Sequence, residues 1–183
     1  MSLEGHRALA YILAAKLYRK AVPKWAKQQY TAASGSAAIV DAAAKSRSER
    51  GRKVTTEARG RFFDLDAIFD TINARYFEGG QVRPQLSWSA RQTYRMLGHH
   101  DAAHDTIIVS RSLDAPETPL FVIEYVMFHE MLHRKHPTIH RNGRRYNHTP
   151  QFRADERRFE RYEDAERWIQ ANVRRLKRNA KRR

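Results

Sequence analysis

The chain has 183 residues, 41% of them hydrophobic, enough for one compact domain with some surface extension. Lys and Arg number 35 against 20 Asp and Glu, a formal net charge of +15 with a pI near 10.5, so a polyanion is the partner class to test against the plainer reading of a basic solvated surface. The chain contains no cysteine, which excludes a disulfide framework and a thiolate zinc site and leaves His, Asp and Glu to hold any metal.

In chain order, Leu9, Ile12, Leu13 and Leu17 recur at helical spacing and predict a first helix that ends or kinks at Pro23. Its apolar stretch, Ala8 to Ala15, is far too short to cross a bilayer. Glu4 sits where a signal peptide would be basic, and no small-residue cleavage site follows. A soluble amphipathic helix, no membrane contact and a cytoplasmic protein are therefore expected. Residues 31 to 61 join an Ala- and Ser-rich stretch to the basic run Lys45, Arg47, Arg50, Arg52, Lys53, Arg59 and Arg61 with little periodicity. This reads as a partly helical linker, so residues 1–61 form an N-terminal helix and basic arm.

The compact domain is expected over residues 62–162. Asp64 is a good N-cap, Leu65, Ile68, Phe69, Ile72 and Tyr76 line one helical face, and Gly79 and Gly80 stop that helix. Gln85 to Ser89, Leu97 to His100 and Thr106 to Ser110 read as short strands, the last two joined by a turn at Asp101 to Asp105. They predict a small three-stranded sheet covered on one face by helices, an α+β arrangement in which Thr106 to Ser110 is the edge open to an extended peptide.

A long apolar helix follows from about Leu120 to His136, ended by Pro137, with Tyr125, Val126, Phe128, Met131 and Leu132 among its packing residues. Thr138 to Asn147 reads as a polar loop. Thr149 and Pro150 then supply an N-cap and a first-turn proline to a last helix that continues through Phe152, Phe159, Trp168 and Leu176. Residues 163–183 are read as a C-terminal helix extension and basic tail.

The chemistry concentrates in His129-Glu130-Met131-Leu132-His133, an HExxH string within the apolar helix. Helical period sets His129 and His133 one turn apart on one face, where two imidazoles reach one zinc ion, and sets Glu130 beside it as a base toward water. Burying these three polar side chains without a ligand would be costly. A catalytic zinc takes a third protein ligand. His148, just before the last helix, is placed to fold back over the first two and is preferred over His140, while His136 lies on a different face and is expected to be exposed. Glu156, on the same face as His148 and Phe152, is a rival ligand, a group that orients a ligand, or a partner of one of the many arginines. Tyr146 or Tyr125 could stabilise an oxyanion, but a Tyr near a core is more often a packing residue and neither is assigned to the site.

The ordered series Phe69-Asp70-Thr71-Ile72-Asn73, Tyr76-Phe77, Leu86-Ser87-Trp88-Ser89, Leu97-Gly98, Ile107-Ile108-Val109-Ser110 and Leu113, closed by the HExxH and by His148-Thr149-Pro150-Gln151-Phe152, resembles the SprT-like domain family. The resemblance covers roughly residues 62 to 162. It implies a zincin-like fold, zinc held by His129, His133 and His148, and Glu130 as catalytic base. SprT-like proteases related to Spartan degrade proteins crosslinked to DNA, which implies a protein or peptide substrate associated with DNA. Many SprT proteins carry a cysteine-ligated zinc ribbon. This chain has no cysteine, so its basic arm and tail are the expected DNA contacts.

The expected activity is zinc-dependent peptide-bond hydrolysis. Two other readings keep the metal: hydrolysis of a nucleotide or phosphate ester, and a non-catalytic basic nucleic-acid-binding module with a structural zinc. The second leaves Glu130 without a purpose.

Overall fold

The computed structural model describes residues 2–50, 54–141 and 144–181. Arg52 and Lys53 of the expected basic arm and Arg182 and Arg183 of the tail lie outside the described residues. The chain divides into two compact units, one of Met1–Gly51 with Thr138–Tyr146 and one of Arg52–Pro137 with Asn147–Arg183.

In the first unit, helix α1 spans Leu3–Leu17 and is capped by Ser2, whose side chain accepts the Gly5 N–H. Helix α2 spans Lys24–Ser34 after Pro23. The face α1 buries is its small-residue face, Gly5 and Ala8, whereas Leu13 and Leu17 from the expected apolar stripe are 58% and 78% exposed. The expected linker is more ordered than its composition implies, since Ala37–Arg50 forms a third helix, α3. The expected polar loop after Pro137 holds a short antiparallel hairpin instead.

The second unit holds the principal core. Its first segment, residues 54–60, belongs to the arm by composition, yet it lies along the sheet. Thr56 donates its N–H to Ser87 Oγ at 2.8 Å and its hydroxyl to the Trp88 carbonyl at 2.7 Å, and Trp88 Nε1 donates to the Ala58 carbonyl at 2.9 Å. Asp114 accepts the successive backbone N–H groups of Arg61, Phe62 and Phe63, which fixes the entry to the next helix. That helix, α4 (Leu65–Phe77), is capped by Asp64 as expected and buries Leu65, Ile68, Phe69 and Ile72. Glu78, one residue before the two glycines, takes the left-handed conformation that ends it.

Strands β1 (Gln85–Trp88), β2 (Gly98–Asp101) and β3 (Thr106–Val109) form a mixed sheet in the order β1-β3-β2. β1 runs parallel to β3 with Leu86 opposite Ile107, and β2 runs antiparallel to it with His100 opposite Ile107. This corrects the expectation that Thr106 to Ser110 is an edge. β3 is central because its near-continuous apolar run is covered on both sides, with Thr106, Ile107 and Val109 all buried. β1 and β2 are the outer strands of this sheet, and residues 54–60 border β1.

Helix α5, Leu120–Lys135, crosses the sheet. It is apolar on nearly every face, and Ile123 and Met127 are fully buried beside the expected packing residues. Hairpin strands β4 (Ile139–Arg141) and β5 (Arg144–Tyr146) belong to the first unit.

The expected single last helix is two, α6 (Pro150–Glu156) and α7 (Tyr162–Lys181). No Gly or Pro marks the break. Tertiary contacts make it: Phe159 is buried in the intervening turn against Tyr76, Tyr125 and Phe128, and the Glu160 N–H is satisfied by the Tyr76 hydroxyl at 3.2 Å. The described residues thus make an α+β protein of seven helices, one three-stranded mixed sheet and one hairpin. Among them, no helix is long and apolar enough to cross a membrane.

Candidate metal centre

Three imidazoles converge at the C-terminal half of α5. His129 and His133 stand one turn apart with ring centroids 4.9 Å from each other, and His148 lies 5.0 Å from each. Each ring offers one nitrogen, and these three atoms lie within 4.8 Å of one another, close enough to bind a metal ion. Nε2 of His133 and Nε2 of His148 are 3.3 Å apart. Within that distance two lone pairs repel unless a proton or a cation lies between them.

α6 builds the rest of this arrangement. Thr149 caps it by accepting the Phe152 N–H at 3.2 Å, and Pro150 occupies its first turn, so the chain direction at His148 is fixed. Phe152, fully buried, forms the floor beneath all three rings, with centroids 5.1, 4.8 and 4.9 Å from His129, His133 and His148. An apolar floor keeps the rings from rotating away.

Among the described residues, Glu156 pairs with a histidine and not with an arginine. Its Oε1 accepts from Nδ1 of His129 at 2.6 Å, which turns Nε2 of that ring toward the other histidines. Of the three roles open to it in the sequence, the geometry matches the orienting group. Its carboxylate sits below the ordinary range although burial opposes this, because the hydrogen bond and charge of His129 outweigh the desolvation.

The proton affinities of the three imidazoles move in opposite directions. Burial works against protonation at His129, but the Glu156 hydrogen bond and the charges of Glu130 and Glu156 lift it above its ordinary value. Burial and the charge of His129 then push His133 down to about 3, and His148 is lowered for the same two reasons. His133 and His148 are thereby kept neutral, as ligands must be.

Glu130, the residue after His129 and about 100° round the helix from it, is 4% exposed. Burial raises its carboxyl to about 7, against the charge of His129 and a hydrogen bond from the His100 backbone. Gly98 of β2 faces it, and a Cβ there would meet Oε1 and Cγ of Glu130 and Cγ1 of Val126. Because the Leu97 carbonyl accepts the Ser110 N–H, the alternating register turns the backbone groups of Gly98 and His100 away from β3.

Other candidates fall away from the site. His136 is half-buried rather than exposed, its Nε2 bound to Asp155 Oδ2 at 2.9 Å, and Lys135 Nζ shares that oxygen at 2.7 Å. The side chain of His140 lies outside the described residues. Tyr146 is exposed. Tyr125 is buried with its hydroxyl between Glu156 and Glu166, so it has no free donor to aim at a substrate. Glu166 carries no motif, and Gly98 stands in the resemblance series without a role; what each does is reached only through the packing of α7 and β2 on α5.

No family model, no curated protein and no solved structure matches this chain.

Proposed function

We propose that this chain is a zinc-dependent metallopeptidase of the SprT-like kind, with a zincin-like fold, acting on DNA-associated or DNA-crosslinked proteins. The observation that supports it most is the juxtaposition of three convergent imidazoles with a buried carboxyl, Glu130, whose proton affinity lies near neutrality at about 7. A structural site has no use for such a carboxyl, and a general base works best with a pKa near the working pH.

His129, His133 and His148 would hold the ion, and the all-nitrogen donor set with neutral His133 and His148 suits zinc. Zinc in such a site supplies Lewis acidity and lowers the pKa of water. Glu156 keeps the His129 ring in the tautomer that presents Nε2. Glu130 takes a proton from the attacking water at its carboxylate oxygen and passes it to the leaving amine. The His100 backbone N–H holds that carboxylate in place between the two transfers. An extended peptide would lie beside β2, the outer strand next to Glu130. The DNA part of the reading rests on the net charge of +15.

The test is metal analysis of the purified wild type beside His148→Ala, with casein and a DNA-bound basic protein offered as substrates with and without DNA. About one zinc per chain in the wild type, loss of it in the variant and DNA-stimulated proteolysis are expected. Hydrolysis of nucleotides or phosphodiesters with no proteolysis would replace this reading.

A further inference from the structure

Tyr125 stands between two carboxylates from two different helices. Its hydroxyl oxygen is 3.1 Å from Oε1 of Glu156 on α6 and 2.8 Å from Oε1 of Glu166 on α7. Its ring is held by Phe159 and Tyr162, with centroids 5.6 and 5.7 Å away, so the oxygen is fixed in that place. Burial and the hydrogen bond to Glu166 hold the phenol well above its ordinary value, so it remains a donor. A phenol has one proton to give, and two carboxylates face it.

The same Glu156 oxygen already accepts the Nδ1–H of His129 at 2.6 Å. A second hydrogen bond on that oxygen would share its charge and weaken what His129 receives. The shorter of the two Tyr125 contacts is the one to Glu166. We propose that Glu166 is a positioning residue that draws the Tyr125 hydroxyl proton to itself and so leaves the Glu156 carboxylate undivided for His129. A more negative partner makes an imidazole a better ligand, so α7, which supplies no ligand, strengthens metal binding.

This inference rests on the metal reading of the site, and its test separates the two. The full chain is titrated with Zn2+ alone against a chromogenic chelator, for the wild type, Glu166→Gln, Glu166→Ala, Tyr125→Phe and the double variant Tyr125→Phe/Glu166→Gln. Circular dichroism melting checks that each is folded. Glu166→Gln and Glu166→Ala are expected to bind zinc about threefold to tenfold more weakly, because a neutral or absent partner releases the phenol proton to Glu156. Tyr125→Phe alone stays within about twofold of the wild type, and adding it to Glu166→Gln restores affinity, since no hydroxyl remains to compete.

A double variant as weak as or weaker than Glu166→Gln would overturn the proposal and leave Glu166 as a mere brace for α7. Wild-type affinity in both single Glu166 variants would overturn it too, with the metal site standing. A wild-type chain that takes up no zinc would bring down the metal reading and this inference together.

Discussion

Gly98 and Glu130 share a space that holds only one of a methyl group and a carboxylate. A Cβ on residue 98 would stand 2.8 Å from Glu130 Cγ and as close to Val126 Cγ1, so β2 approaches α5 as backbone alone at this point. The expected result of Gly98→Ala is a displaced Glu130: kcat for peptide hydrolysis falls about 10²-fold while zinc content is unchanged, with a stability loss of about 1–3 kcal/mol from overpacking. Steady-state kinetics beside metal analysis checks this. A Gly98→Ala variant as fast as the wild type would show that Glu130 has room the packing does not display.

Glu130→Gln keeps the shape of the side chain and removes its ability to accept and return a proton. Zinc binding and the melting curve should be retained, and turnover should fall by about 10²-fold or more. Because burial holds this carboxyl near 7, the wild-type rate should rise with pH through that region as the base ionises, and any residual rate of the variant should lack that limb.

Glu156→Gln addresses the orientation of His129. An amide can present its oxygen to Nδ1 but brings no charge, so zinc affinity should drop by about tenfold to a hundredfold, measured by chelator competition, with little change in fold. If affinity is unmoved, the 2.6 Å contact is not what sets the ligand.

Asp155 ties the end of α5 to α6. Its carboxyl is lowered from 3.8 to about 2 by hydrogen bonds from Lys135 and His136. A depressed carboxylate gives stability that is fully present above its unfolded value and is lost as pH falls through its folded value. The wild type should therefore lose more stability than Asp155→Asn between about pH 4 and pH 2, and the two should converge at the acid end. Thermal melts across that range decide it, and parallel curves would refute it. At pH 7 the substitution should cost about 1 kcal/mol.

What the sequence made legible was whatever short-range chemistry decides. Asp64 and Thr149 announced their helices because a cap needs only its own first turn, and His129 with His133 needed only the helical period. His148 was within reach because Thr149 and Pro150 fix the chain just after it. The rest depended on partners distant in the chain. Whether Thr106 to Val109 is an edge or a centre is settled by β1, which returns to it in parallel from before β2. The break between α6 and α7 has no local signal because Tyr76 and the core around Phe159 create it. Residues 54–60 read as arm because their bonds go to Ser87, Trp88 and Ser89, about thirty positions away. Glu156 was visible as a face-mate of His148, but Glu166 was not, and neither was the contact of Gly98 with Glu130, since no spacing relates them to the histidines.

The third imidazole comes from a segment 15 residues beyond the second, and the short helix behind it carries the floor, the orienting carboxylate and the tie to α5. An ion gripped by His129, His133 and His148 would therefore act as a rivet through α5 and the segment that opens α6, which side-chain contacts also hold together. Occupancy and docking become one event: chelation would loosen the whole stretch from His148 to Glu156, and protease nicking or amide exchange confined to that stretch would register the metal without any substrate being cut.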